Sequence, residues 1–298
     1  MRLLFIKSIL YACAYLPLPV IHAIGIGIGW GLILVPNRSR SSTEINIARC
    51  LPELSGREQR ALSRKSLLET GKTIIETSAL WFRSGKQSLR LIRKVDGNEM
   101  VEQAIAAGSG AILATPHLGS WEAAGLYGSA EFAITCLYRP LKIAEAEDLV
   151  RNARNRLGGN YVPANASGIR LVYKALEQGR VVAMLPDQEP QAGTGVYAPF
   201  FGIPAYSMVF LSRLSIRTGA PIIFAWCERL SWGRGYHLHF RSFSGVNKSS
   251  DIESNVAAVN MAVEQCVREC PEQYQWSYRR FKSRPEGEPS FYKRQLPS

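Results

Sequence analysis

The feature that most constrains this chain is the stretch from residue 8 to residue 37, which holds no Asp, Glu, Lys or Arg and is rich in Ile, Leu, Val and Gly. Such a run is long enough to span or enter a bilayer. It predicts an apolar, membrane-associated helical segment over residues 1–37 ahead of a globular body over 38–298. Pro17 and Pro19 divide the stretch, so a kinked span, a shallow hairpin and a helix-turn-helix lying in the interface all stay open. A secretory leader is the rival, with Arg2 and Lys7 as its basic region, but the apolar run outlasts an ordinary leader core and no Ala-x-Ala site ends it. A glycine-rich core helix packed on the body is the bland alternative. Arg38, Arg40 and Arg49 follow the stretch and tilt the body toward the cytoplasmic side.

Thirty-six Lys and Arg against 24 Asp and Glu give a net charge of +12, which favours an anionic partner such as a lipid surface or a phosphorylated substrate. Nucleic acid is not expected, because there is no zinc-finger spacing, RNP-like aromatic motif or basic heptad region. The six cysteines, at 13, 50, 136, 227, 266 and 270, form no CxxC pair and no disulfide framework, so a reducing compartment is the simpler reading.

The body alternates strand-like and helix-like segments. Ser55 and Glu58 have capping-box spacing at the head of a long helix. Short apolar runs at 111–115, 134–138, 181–185 and 222–227 read as strands, separated by helix-like stretches near 119–130, 144–157, 167–178, 205–218 and 252–269. The alternation at 236–240 adds another strand, which predicts an α/β body with a mixed central sheet flanked by helices.

Residues 111–122 carry the chemistry. A buried-looking strand ends at Pro116, and His117 stands just past its carboxyl edge, where α/β proteins place sites. On one continuous helix His117 and Glu122 would point about 140° apart, so they need a bend between them, which Pro116 and Gly119 supply. With Glu122 in the first helical turn, its carboxylate can accept the imidazole N–H and leave the other ring nitrogen free as a base.

The run Pro116-His117-Leu118-Gly119-Ser120-Trp121-Glu122 resembles the HX4(D/E) motif of the late acyltransferases of lipid A biosynthesis. Four further blocks are similar in the same order: Arg151 to Gly159, Leu185-Pro186-Asp187-Gln188, Ala198-Pro199-Phe200-Phe201-Gly202, and Arg279 to Pro285. The resemblance covers nearly the whole chain and implies an acyltransferase-like fold, with 38–298 as the catalytic domain. It also implies transfer of an acyl chain from acyl carrier protein to a hydroxyl of a lipid A precursor, at the cytoplasmic face of the bacterial inner membrane. Glycerolipid acyltransferases share the His-acid motif, so a lysophospholipid or other glycolipid acceptor is the alternative.

His117 is then the expected general base and Glu122 its orienting partner. The oxyanion donor is expected among backbone N–H groups near Gly119 or a nearby Arg. Arg139, Arg154 and Arg156 are candidates for substrate phosphates or the carrier's phosphopantetheine, against the plainer reading that Arg151, Arg154 and Arg156 form a solvated helix face. Asp187 and Gln188 follow a strand as His117 does and are placed in the same cleft, unless Asp187 only caps a turn. Gly193-Thr194-Gly195 lacks a phosphate-loop ending and reads as a flexible loop near the site. His237 and His239 share one side of a strand, but no third ligand is evident, so no metal and no cofactor is expected. Trp276, Tyr278, Phe281 and Phe291 lie in or near a basic C-terminal stretch suited equally to a lipid interface and to core packing.

Overall fold

The structure is a computed structural model that describes residues 11–140 and 144–292; Arg2 and Lys7 lie outside them. Residues 11–14 are helical and the chain leaves helical geometry at 15–17. Pro17 then stands at the N-cap of α1 (Leu18–Leu34), and Pro19 lies in its opening turn, where a missing N–H breaks no helical bond. The break at Pro17 thus divides the apolar stretch into two helical pieces, as expected, while Pro19 leaves α1 intact. Two of the glycines of α1 have a packing role. An added Cβ on Gly25 or Gly29 would lie 2.5 or 2.6 Å from the Cα of Lys72 or Leu68, and one on Gly71 would lie 2.1 Å from the Gly25 carbonyl oxygen. Backbone thus rests on backbone where α1 crosses α3 (Gly56–Phe82).

Between them α2 (Arg38–Cys50) turns away at 82° to α1. No single helix among the described residues is long and apolar enough to cross a membrane, though the bent α1–α2 pair passes that test by length and composition. The outer face of α1 leaves Val20, Trp30 and Leu34 exposed, and Trp232 is the most exposed large apolar residue described, at 88%.

The capping box opens α3 as expected: Ser55 Oγ accepts from the Glu58 N–H and the Glu58 carboxylate accepts from the Ser55 N–H. After α4 (Gly85–Leu89) the chain enters the sheet. The strands are β1 (Ile92–Asp96), β2 (Ala111–Ala114), β3 (Thr135–Tyr138), β4 (Asn160–Pro163), β5 (Val181–Met184), β8 (Ile222–Arg229) and β9 (Tyr236–Phe243). They lie in the order β1-β9-β8-β2-β5-β3-β4, all parallel except for the antiparallel β8–β9 pair. This is the expected mixed sheet. Its helices are α5 (Glu99–Ala106), α6 (Trp121–Phe132), α7 (Ala144–Asn155), α8 (Ala166–Glu177), α9 (Phe210–Thr218) and α10 (Ile252–Glu269). Every residue of β2 and β5 is buried, as central parallel strands covered on both faces must be. One core holds Ile112, Met184, Trp226 and the inner face of α10; the other holds Leu113, Ala183, Ala225 and Leu238.

One expectation fails. The helix predicted over 205–218 begins only at Phe210, because β6 (Gly195–Phe200) and β7 (Ile203–Met208) form a separate hairpin. Phe201 and Gly202 make its turn with φ of +49° and +72°, the signs of a type I′ turn. Phe is an uncommon residue there, and Glu264 of α10 holds it by accepting the Phe201 N–H. Trp276, Phe281 and Phe291 are buried in the core, which settles those three aromatics as packing. All six cysteines are free, five of them buried.

Candidate active site

The turn after β2 is pinned to its neighbours by backbone bonds. Gly119 N–H donates to Gln273 O at 3.0 Å, Ser120 N–H to Cys227 O at 2.7 Å, and Gln275 N–H to His117 O at 3.0 Å. Gly119 has φ +61°, and a Cβ there would lie 2.0 Å from the Cys227 carbonyl oxygen, so only glycine fits this crossing. The turn throws His117 to the mouth of a cleft of about 730 Å³.

The imidazole's carboxylate partner is Asp187 and not the expected Glu122. His117 Nδ1 lies 2.9 Å from Asp187 Oδ1, and the His117 backbone N–H donates to Asp187 Oδ2 at 3.0 Å. One carboxylate thus holds both the ring and its backbone. Burial pushes the Asp187 carboxyl up, but the adjacent His117 charge and hydrogen bonds outweigh it and hold the group below the usual carboxylate range. Asp187 therefore stays ionised at neutral pH. With Asp187 accepting at Nδ1, that nitrogen carries the proton and Nε2 holds the lone pair. Gln188 Nε2 lies 3.1 Å from this Nε2 and also donates to Gln275 Oε1 at 3.1 Å.

Glu122 sits in the first turn of α6 as expected, yet its oxygens are committed elsewhere. Trp81 Nε1 and Arg154 Nε each donate to Oε2 at 3.1 Å, and Arg154 Nη2 donates to Oε1. Burial would raise this carboxyl as well, but the Arg154 guanidinium holds it low. Arg154 in turn lies over the rings of Tyr138 and Tyr161 and is no solvated face residue. It reaches the cleft wall, as Arg139, Gln188 and the Gly193–Gly195 loop do. Arg139 is an exposed cation of the cleft lining, as Arg213 is. Arg156 is outside the cleft lining: its guanidinium caps the end of α3 by donating to the Leu80 and Trp81 carbonyls and to Ser88.

Sequence reading missed a second buried constellation behind the turn. Arg229 Nη2 donates to Gly119 O at 2.9 Å and pairs with Glu76. Glu76 also accepts from Tyr236 at 3.1 Å and faces His22 Nε2 of α1 at 3.2 Å. Burial works against the Glu76 charge, but Arg229 and His22 outweigh it and lower its carboxyl to about 2. Glu76 falls on a helix with apolar spacing, so its buried position carried no separate signal in the sequence. Gln275 was likewise unremarkable until the fold placed it beside Gln188.

The deep part of the cleft is apolar. Gly125 and Gly128 of α6 face Leu113, Ala183, Ala225 and Leu238 of the sheet across it.

A model of the family "Bacterial lipid A biosynthesis acyltransferase" matches residues 3–283. The chain is 30% identical over 290 residues to the lipid A biosynthesis lauroyltransferase of Escherichia coli K12, covering 96% of this chain and 92% of that protein. It is 27% identical over 289 residues to the palmitoleoyltransferase of the same organism, with the same coverage. A phosphatidylinositol mannoside acyltransferase of Mycobacterium tuberculosis is 28% identical over 184 residues, 60% of this chain and 55% of that protein. The chain belongs to the bacterial lipid A biosynthesis acyltransferase family.

Proposed function

We propose that this acyltransferase moves a fatty acyl chain from an acyl carrier protein thioester to a hydroxyl of a lipid A precursor, with His117 as general base. The observation that carries the reading is the His117–Asp187 pair at the mouth of a cleft whose depth is hydrocarbon-lined. Asp187 fixes the tautomer and stabilises the imidazolium, as the carboxylate does in a serine hydrolase triad. The acceptor hydroxyl displaces the Gln188 amide from Nε2, gives up its proton there, and its oxygen attacks the thioester carbon. The tetrahedral adduct collapses by breaking the C–S bond, and the departing thiolate takes the proton back from the imidazolium. No acyl-enzyme forms.

The backbone N–H groups of Gly119 and Ser120 are already bonded, so they are not available to an oxyanion. The displaced Gln188 amide is the side-chain donor nearest the reacting atoms, and Arg139 is placed for a phosphate at the rim. Glu122 acts as a positioning residue through Arg154 and Trp81.

The exposed apolar face of α1, the exposed Trp232 and the net charge of +12 support seating residues 1–37 at the inner membrane, with the catalytic domain over 38–298 on its cytoplasmic face. No cofactor and no nucleic acid enters this reading. Purified protein given acyl carrier protein thioester is expected to acylate a lipid A precursor and to leave phosphatidylinositol mannoside and lysophospholipid acceptors largely untouched. Turnover on either of the latter alone would assign the acceptor to the alternative class.

Acyl length is set in this reading by the distance from His117 to the sheet floor. Ala225 is 2% exposed on that floor. Ala225→Leu is expected to shift preference in a mixed-donor competition toward shorter chains, with about 1–3 kcal/mol lost per methylene that no longer fits. An unchanged product distribution would place the chain terminus elsewhere.

A further inference from the structure

On the far face of the sheet from the cleft, four polar side chains converge from three adjacent strands. His237 and His239 alternate on β9 with Leu238 and Phe240, which line the cleft, so the two imidazoles point away from it. Asp96 of β1 stands in register with His239, and Glu228 of β8 with His237. His237 Nε2 lies 2.8 Å from Asp96 Oδ2, and His239 Nε2 lies 3.1 Å from Glu228 Oε2. The two rings are 3.7 Å apart between centroids, and His239 is stacked on Trp226 at 4.8 Å and 11°. Donor atoms of Asp96, His237 and His239 all fall within 4.8 Å of one another.

We propose that Asp96, His237 and His239 bind a divalent transition-metal ion of the zinc class, with Glu228 as the adjacent second carboxylate. The third ligand that linear spacing did not offer comes from a strand more than a hundred residues upstream, placed beside β9 by the sheet order. Two imidazoles and a carboxylate are the donor set that zinc takes at about 2.0–2.2 Å, which puts tetrahedral ligand atoms about 3.3 Å apart. Rings carried two residues apart on one strand, with one fixed on Trp226, need only small rotations to reach such spacing. Lys94 Nζ, 2.6 Å from Asp96 Oδ2, competes for that carboxylate, but it is largely exposed and leaves at little cost. The site ties the edge strand β1 to β8 and β9 and stands apart from the acyl-transfer chemistry, so it holds whether or not the acceptor reading does.

The test uses full-length, tag-free protein stripped with a chelator. Calorimetric titration with Zn²⁺ is expected to show one equivalent bound, and Co²⁺ to give the visible absorption of a tetrahedral centre. His237→Gln, His239→Gln and Asp96→Asn should each weaken Zn²⁺ binding at least about tenfold, while Lys94→Ala tightens it several-fold. Zinc should raise the melting temperature of the wild type and not of the His variants. Retained circular dichroism and acyl transfer in the variants separate lost binding from lost folding. Absence of binding, or equal binding by wild type and both His variants, overturns the proposal.

Discussion

Asp187→Asn is expected to lower turnover by roughly 10²–10⁴-fold while the protein stays folded, and His117→Ala to lower it by at least as much. The amide can still touch the His117 backbone N–H through its oxygen, but it cannot supply the ionised acceptor that holds the proton on Nδ1 and offsets the imidazolium charge. Both variants leave the apolar cleft intact, so donor binding should change little and the loss should fall on kcat. Glu122→Gln gives the contrast. It breaks a buried pair with Arg154, so its first effect is on stability, with any loss of activity following from a displaced α7. Kinetics with acyl carrier protein thioester and thermal melts of the three variants check this. A fully active, folded Asp187→Asn protein would remove the relay from the mechanism.

Removing one half of the Glu76–Arg229 pair is the second large effect. Glu76→Gln or Arg229→Met leaves the other charge buried without its partner and is expected to cost about 3–5 kcal/mol in denaturant unfolding. The double variant Glu76→Leu/Arg229→Met should recover much of that stability, since both charges are gone. It should not recover full activity, because Gly119 O still lacks the donor that holds the catalytic turn. The pair also predicts acid sensitivity. The carboxyl of Glu76 is lowered from 4.5 to about 2, so the folded state binds its proton less readily than the unfolded chain does. Its contribution, on the order of 3 kcal/mol, is fully present above about pH 4.5. It is lost as pH falls toward 2. Urea midpoints across that range in wild type and double variant report it, the double variant showing the flatter profile.

Much of the fold was legible because central parallel strands are continuous apolar runs between Gly and Pro punctuation; 111–115 and 181–185 were visible for that reason. Edge strands were not. Ile92-Arg93-Lys94-Val95-Asp96 has three charged residues in five and pairs on one side only, which leaves no apolar run to see. The site was legible up to adjacency. His117 and Asp187 were each read as residues just past a strand, but 70 positions separate them in sequence. Only the neighbouring of β2 and β5, fixed where Thr115 N–H donates to Met184 O, brings them together. Strand order is decided by packing between distant segments, and no local pattern encodes it. Glu122 lay five residues away and drew the pairing that belonged to Asp187. Arg154, whose guanidinium claims Glu122, was itself among the predicted site residues, so His117, Asp187, Glu122 and Arg154 were all named before their connections were.

If the donor is the proposed thioester, the amide of Gln188 resting on Nε2 has a consequence for how that energy-rich bond is kept from water. A bare imidazole beside a loaded thioester would activate water as readily as an alcohol, and the acyl chain would be squandered as free fatty acid. A plug held by Gln275 is removed only by an acceptor that brings its own affinity for the rim. On the proposed mechanism, fidelity against hydrolysis would then come from the resting contacts of Gln188 with His117 and Gln275.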